Sequence, residues 1–517
     1  MTHRWCIYLL KMCAGALIPA ILLGAQFSER VAARQRTGGG SPDSLFKRAG
    51  IRKAKTATAC EAALDSASNS AYMQVEADIN MLPADARDTA SYREYAAITA
   101  NKKAAAATCA RRFKLATADS SDLHALVGLY DNAGMDPQLQ AALDRHIALA
   151  TSTEAKAEAL LDAVGHYATY DTTPGRTARA EPYVAQLDAL GDSAQGERVE
   201  AHAMVSGSRK FYDAADPLAR SHADQALSLA RALPPEDRTK TYHQGHGAYV
   251  AGLTAAAEED ASNGDYKTAL AILNEGIANM GDTSKSYEVK GMLSSFRRYA
   301  LVGTPAPAVT PEHWINAPDG TTTLPYQGHV TMLEFTTTWC HWCKKGYPAM
   351  RRLAAKYQSH GYQPMFVSLI EGKGMNKPDT IDAELAYDRK HWVEGDSITF
   401  PIAIYDTKFV IVPPSKNDFA SKPDSVAGKP LRVPKDSTGD STRAAAPQRR
   451  EEPIVFKEYL ADGYPTYYFI DKNGIIRDIQ VGHREDLEQR FAGIIERLLA
   501  EAGRDALDGR SGAPPGP

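Results

Sequence analysis

The sequence predicts an all-α domain over residues 52–300 followed by an α/β domain over residues 303–502. Three observations carry this expectation. From Arg52 to Arg298 the chain is Ala-rich with a helical period, broken at Leu82-Pro83, Met135-Asp136-Pro137, Thr173-Pro174-Gly175 and Leu233-Pro234-Pro235. Beyond Gly303, short β-branched and aromatic runs take over, separated by helical stretches. Where the first of these runs, Val330–Phe335, gives way to the amphipathic stretch Ala349–Tyr357, two cysteines stand in Trp339-Cys340-His341-Trp342-Cys343.

The chain has 517 residues, 44% hydrophobic and 24% charged, enough for two or three domains and unlike a small disulfide scaffold. A formal net charge of -4 and a pI near 6.4 give no electrostatic argument for nucleic acid. In residues 1–25, Arg4 and Lys11 precede the apolar run Met12–Ala25, which reads as a secretory signal peptide cleaved near Ala25. The alternative is an uncleaved membrane anchor over residues 5–25, interrupted by Lys11 and Pro19. Either places the folded part outside the cytoplasm, in the periplasm or cell envelope, where disulfide chemistry is at home. Residues 26–51, with Thr37-Gly38-Gly39-Gly40-Ser41-Pro42, read as a flexible linker.

Roughly ten helices are expected in the α domain. Asn263-Gly264-Asp265-Tyr266-Lys267-Thr268-Ala269-Leu270 resembles the turn and second helix of a tetratricopeptide unit, with Tyr266 filling the gap between helices. Elsewhere no strict period is visible, so a degenerate helical repeat and an irregular bundle both stay open. The histidines show no metal-ligand spacing except His243-Gln244-Gly245-His246, which lacks an acidic or cysteine partner, and no metal is expected. Cys60 and Cys109 either bridge two neighbouring helices or are two small buried residues. The role expected of this domain is to hold a partner protein or to position the α/β domain.

Gly303-Thr304-Pro305-Ala306-Pro307 opens the α/β domain. Its strands are expected at Val330–Phe335, Met365–Ile370, Ile402–Tyr405, Tyr467–Ile470 and Ile475–Val481, the last two joined by the Asp471-Lys472-Asn473-Gly474 turn. Helices are expected at Asp379–Val393 and Glu485–Ala502. Between them an insertion, residues 407–453, is rich in Pro, Lys, Ser and Asp and cannot support a core. It reads as a long loop, more an inert insertion than a lid over the nearby Pro465. Residues 503–517 read as a disordered tail.

A thiol at a helix N-terminus meets free amide groups and the positive end of the helix dipole, which stabilise a thiolate. Cys340 is therefore the expected exposed nucleophile. Cys343, about one turn deeper, is the resolving thiol that attacks a mixed disulfide at Cys340. Half of a zinc site has the same spacing, but no second cysteine pair lies nearby and His360 and His391 are not spaced as ligands.

With Trp339 before the first cysteine, Lys344 after the second and Pro348 five residues beyond it, this stretch resembles the thioredoxin superfamily. Its exported TlpA/ResA-like branch is the most similar. The resemblance covers about Gly303 to Ala500 outside the insertion and implies a thioredoxin-like fold. Gly463-Tyr464-Pro465-Thr466-Tyr467-Tyr468-Phe469-Ile470-Asp471 looks like the family's cis-proline segment, which implies that Tyr464, Pro465 and Thr466 hold a partner's backbone. Glu334, six residues before Cys340, stands where thioredoxins carry a buried acid that moves the proton of the second cysteine. Burial raises a carboxyl pKa, which suits proton exchange with a thiol. Two departures stand out: Gly346 occupies a position that is acidic in ResA-like proteins, and Pro364–Ile370 lacks the lysine that neighbours thioredoxin's buried acid.

The resemblance implies an exported protein-disulfide oxidoreductase. Its redox group would be the Cys340/Cys343 pair, with no other cofactor. Its partners would be protein disulfides or dithiols and an electron-donating thiol-disulfide protein. The intervening His341-Trp342 pair tunes redox poise in this superfamily: a protonated His341 would favour the thiolate and a more oxidising disulfide, and Trp342 would offer a peptide an aromatic wall. Trp339 joins this partner-facing set. Net reduction is expected; oxidation or isomerisation on the same fold is the alternative, as is a binding scaffold in which the helical domain does the work.

Overall fold

The computed structural model describes residues 46, 51–80, 84–168, 175–212, 217–239, 244–279, 287–372, 377, 378, 380–411, 448–451 and 453–508. The expected signal peptide or anchor over residues 1–25, residues 26–45 and 47–50 of the expected linker, His243, the middle of the insertion and residues 509–517 lie outside these. Phe46 is helical and buried and Ile51 is buried in a 3-10 turn, so the end of the expected flexible linker is anchored by its apolar side chains. Among the described residues no helix is long and apolar enough to cross a membrane. The chain divides into two compact units, Met1–His166 and Tyr167–Pro517, so the division falls inside the helical run.

The first unit contains α1 (Ala57–Asn80), α2 (Ala84–Ala110), α3 (Ser120–Ala133), α4 (Asp136–Leu149) and α5 (Thr153–Tyr167). Chain chemistry sets the ends of α3. Asp119 caps it by accepting from Asp122 N at 2.8 Å, and Gly134 closes it with φ +65°. Leu64, Leu123, Leu126 and Leu160 are fully buried. Cys60 of α1 and Cys109 of α2, 49 residues apart, form a disulfide with a Cα–Cα distance of 5.9 Å. Of the two readings of these cysteines, the bridge is the one realised.

The second unit opens with α6 (Glu181–Asp188), α7 (Gln195–Tyr212), α8 (Pro217–Ala232), α9 (Pro235–Thr239), α10 (Gln244–Ser262), α11 (Tyr266–Asn279) and α12 (Tyr287–Tyr299). With the first unit this makes twelve helices before residue 300 among the described residues, against roughly ten expected, because breaks such as Pro234-Pro235 start short helices of their own. Small residues bring backbones together: a Cβ on Gly252 would lie 2.7 Å from Ala226 O of α8.

The sheet of this unit has β1 (His313–Ile315), β2 (Val330–Phe335), β3 (Tyr362–Leu369), β4 (Ile402–Tyr405), β7 (Thr466–Ile470) and β8 (Ile476–Val481), in the order β1-β4-β3-β2-β7-β8. A separate ladder, β5 (Lys408–Ile411) against β6 (Gln448–Glu451), is antiparallel. The insertion is therefore not a loop throughout, because its two ends pair. Strands β2, β3 and β4 run parallel, while β7 pairs antiparallel with both β2 and β8 and β1 antiparallel with β4. Helices α13 (His341–Tyr357), α14 (Ile381–Arg389), α15 (Ile454–Tyr459) and α16 (Leu487–Asp508) complete the unit.

Several boundaries shift by one or two residues from expectation, and three shift further. β3 begins at Tyr362, before Pro364. A proline is tolerated there because β3 pairs only with β2 at that level, β4 joining at Phe366. The helix expected at Asp379–Val393 ends at Arg389 and continues as a π-helical turn over Lys390–Gly395. The last helix runs to Asp508, through the first residues of the expected tail.

All six residues of β2 are buried, as a central strand covered on both faces requires. Val330 and Met332 face a core shared with Tyr347, Met350 and Leu353 of α13 and Phe491 and Ile495 of α16. Leu333 and Phe335 face the other core, with Phe456 and Tyr459 of α15, where Leu301 and Val302 also pack. Strand alternation therefore assigns Glu334 to the α13 face.

Candidate redox site

The register Phe335↔Thr466 between β2 and β7 sets the site. β2 exits through Thr336-Thr337-Thr338-Trp339 to Cys340, while the Tyr464–Pro465 bond, which is cis, immediately precedes Thr466. The cysteine pair and the proline loop are thus delivered to the same end of the sheet.

Cys340 is the N-cap of α13; its Sγ accepts from Cys343 N at 3.1 Å, one of the amides a helix start leaves unpaired. The two cysteines form a disulfide with a Cα–Cα distance of 5.3 Å. Cys343 is fully buried and Cys340 is 4% exposed, so the expected exposed nucleophile is only the more accessible of two buried sulfurs in this oxidised state.

Glu334 is fully buried, and neither carboxylate oxygen has a hydrogen-bond partner among the described residues. Burial pushes its pKa well up; the Thr336 hydroxyl pulls the other way, but it also pairs with Tyr347 Oη at 2.9 Å. The phenols of Tyr347, Tyr362 and Tyr467 are pushed up first by burial and then by the Glu334 charge, so three buried tyrosines lie within electrostatic reach of the acid. Tyr467 Oη also lacks a partner among the described residues, as does His483 Nδ1. Gly346 lies between these two: a Cβ there would stand 3.3 Å from Tyr467 Oη and 3.9 Å from His483 Nδ1.

The partner-facing set is divided. Trp339 is 45% exposed and meets the half-buried Tyr464 edge-on at 6.0 Å, so these two aromatics border the cysteine pair. His341 is exposed, its ring 5.6 Å from Trp342. Trp342 is half-buried, stacked on His483 at 6.0 Å with Lys345 Nζ 4.4 Å over its ring. Pro465 and Thr466 are buried, and the Thr466 hydroxyl turns to Gly463 O at 2.7 Å. Its side chain is therefore used within the loop.

Sequence reasoning missed the ion cluster that holds Trp339. The indole Nε1 donates to both oxygens of Glu371, at 2.9 and 3.0 Å. Lys377 Nζ stands 3.1 Å from Glu371, 3.3 Å from Glu384 and 2.9 Å from Asp388, all buried. Burial works against the Lys377 charge, yet Asp388, Glu371 and Glu384 together hold its pKa above the ordinary value. Burial pushes Asp388 up to about 6 despite Lys377. Glu371 and Lys377 lie in the connection after β3, while Glu384 and Asp388 stand one turn apart on α14, so no local periodicity joined the four. Among the described residues no group of three or more His, Cys, Asp or Glu converges as a metal site.

No protein-family model matches the chain, and no curated protein matches it. Solved structures do. The thioredoxin domain of a thiol-disulfide oxidoreductase from Bacteroides vulgatus is 15% identical, covering 38% of this chain and 97% of its own, with a TM-score of 0.23. A thiol:disulfide interchange protein of the thioredoxin family from Chlorobium tepidum covers 38% and 97% at 16% identity and a TM-score of 0.23. StoA from Bacillus subtilis covers 36% and 99% at 20% identity and a TM-score of 0.21.

Proposed function

We propose that the chain is a thiol-disulfide oxidoreductase acting on protein disulfides through Cys340 and Cys343. The observation that carries this reading is a cysteine pair bridged across the first turn of α13, on the sheet face where Glu334 is buried without a partner among the described residues. In the reducing direction, the Cys340 thiolate attacks one sulfur of the partner's disulfide, forming a mixed disulfide and releasing one partner thiolate. Glu334 takes the proton of Cys343. The Cys343 thiolate then attacks Cys340 Sγ, forming the Cys340–Cys343 bond and releasing the second partner thiolate. Two electrons pass to the partner, whose two sulfurs take up two protons. A dithiol protein restores the pair by the reverse exchange.

Further parts of the reading are export to the periplasm or cell envelope, membership of the TlpA/ResA-like branch and a tetratricopeptide-like, partner-holding role for the helices. Trp339, His341, Trp342, Tyr464, Pro465 and Thr466 form the partner-facing set in this scheme. The deciding experiment is the reduction potential of the pair in the full chain, by equilibration with thiol-disulfide buffers and alkylation. A value toward ~-270 mV fits a reductase and one toward ~-120 mV a disulfide donor; absence of any reversible disulfide removes the reading.

A further inference from the structure

The loop that carries Tyr464 and Pro465 is held from outside the α/β domain. It leaves α15 at Leu460, which has φ +53°, and runs through Ala461, Asp462 and Gly463. Arg298, on α12 of the helical run and only 6% exposed, reaches it with both ends of its guanidinium. Nε donates to Leu460 O at 3.1 Å, and Nη2 donates to Asp462 Oδ1 and to Ser294 Oγ, the latter at 3.3 Å. Ser294 Oγ in turn donates to Asp462 Oδ2, so both carboxylate oxygens are engaged by one helix face.

A carbonyl and a carboxylate two residues apart, gripped by one planar fork, fix both the position and the orientation of the segment between them. Two residues after Asp462, Tyr464 packs edge-on against Trp339 at 6.0 Å. A second anchor fixes the same helices to the sheet. Tyr266 Oη of α11 donates to Asp478 Oδ1 at 2.8 Å and accepts from Ile479 N at 2.8 Å, on the strand next to β7. Tyr266 thus does more than fill a gap between helices.

We propose that Arg298 is a positioning residue for partner recognition: the helical run supplies the clamp that sets the Tyr464–Pro465 loop opposite the cysteine pair. This rests on the exchange reaction proposed above. The clamp touches neither sulfur, so it bears on how a peptide chain is received and not on sulfur chemistry itself.

The test uses the reduced full chain and two disulfide probes, a peptide whose cysteine is in mixed disulfide with glutathione and bis(2-hydroxyethyl) disulfide. Arg298→Ala, Arg298→Lys and Asp462→Asn are compared with the unaltered chain. Asp462 is the exposed partner, so its variant reports even where loss of the buried Arg298 prevents folding. The expected result is a fall on the order of tenfold in the second-order rate with the peptide, with the half-saturating peptide concentration raised and the limiting single-turnover rate held. The rate with the small disulfide changes less than about twofold, and the pair's potential stays in place. Arg298→Lys keeps a charge for Asp462 without the fork and should fall between. Equal losses with both probes, or none with either, would overturn the clamp while leaving the exchange reaction standing. A wild-type chain inert toward both probes would overturn the exchange reaction and the clamp with it.

Discussion

The two disulfides among the described residues join pairs of buried cysteines, yet they differ in span and in surroundings. Cys60 and Cys109 close a span of 49 residues between two helices, and Cys340 and Cys343 close a span of 3 within one helical turn. On the chain-entropy account, the long closure stabilises the fold by about 4 kcal/mol and the short one by about half as much. The second difference is in their surroundings. Arg112 donates to Ile51 O and Ala54 O and approaches Cys60 Sγ at 4.0 Å, contacts that tie chain segments together. Cys340 and Cys343 instead sit at a helix start, and the sheet strand that leads to them buries Glu334, an acid with no partner among the described residues, as the proposed exchange of sulfur bonds requires. Burial alone does not distinguish a staple from a redox centre; what the neighbours can do with a proton does.

Cys340→Ser should reduce disulfide exchange below detection and, relative to the oxidised chain, lower stability by about half of what loss of the Cys60–Cys109 bridge costs, as followed by the alkylation assay and by circular dichroism. The reciprocal variant, Cys60→Ala with Cys109→Ala, should lose about 4 kcal/mol of stability in urea and retain the exchange rate. A changed potential at Cys340/Cys343 in that double variant would break the distinction between the two bridges.

Glu334→Gln sharpens the chemical side of the comparison. It removes the group proposed to accept the proton of Cys343, and should slow release of the mixed disulfide by about 10²-fold in single-turnover measurements. The sign for stability is opposite. Because the folded state raises the pKa of Glu334 above its ordinary 4.5, the native protein binds more protons than the unfolded chain above that pH. Stability is therefore lost as pH rises through the folded value, and the Gln variant should be the more stable of the two at pH 8. A less stable Gln variant would mean that the carboxylate is paired.

The smallest effect concerns a buried pair with no redox role. His202 of α7 and His222 of α8 meet through their Nδ1 atoms at 2.7 Å, while their Nε2 atoms face Asp188 at 3.3 Å and Glu181 at 3.2 Å. Those carboxylates also bind Arg198 and Arg209. Burial lowers the pKa of His202 from 6.5, with His222 and Arg198 adding to it against Asp188. The unfolded state then binds more protons below about pH 6.5, so stability should fall on acidification between pH 7.5 and 5.5. His202→Gln should flatten that slope in urea titrations at the two pH values; an unchanged slope would assign it to other groups.

How far the sequence revealed these features depended on whether the signal was local. The limits of β2, the Asp471–Gly474 turn and the strand-to-helix placement of Cys340 and Cys343 all follow from short runs, and the structure has them at those residues. β1 is three residues long, too short to show alternation, and went unforeseen. The pairing of β5 with β6 could not be read because the partners are separated by the insertion. At the site, Glu334 was legible from its place in a buried strand. Glu371, Lys377, Tyr467 and His483 were not, since what matters in each is a side chain from another element. Arg298 is the extreme case: nothing near position 298 in the sequence refers to Asp462, 164 residues on.

The β5–β6 ladder pairs Lys408 with Glu451 and Ile411 with Gln448, so the chain that departs after Ile411 returns beside its own point of departure. The cost of closing such a detour grows only slowly with its length, by about 0.6 kcal/mol for each doubling. The ladder therefore acts as a socket. The distance that β4 and α15 have to span is thereby set by the ladder and not by the number of residues between its two strands.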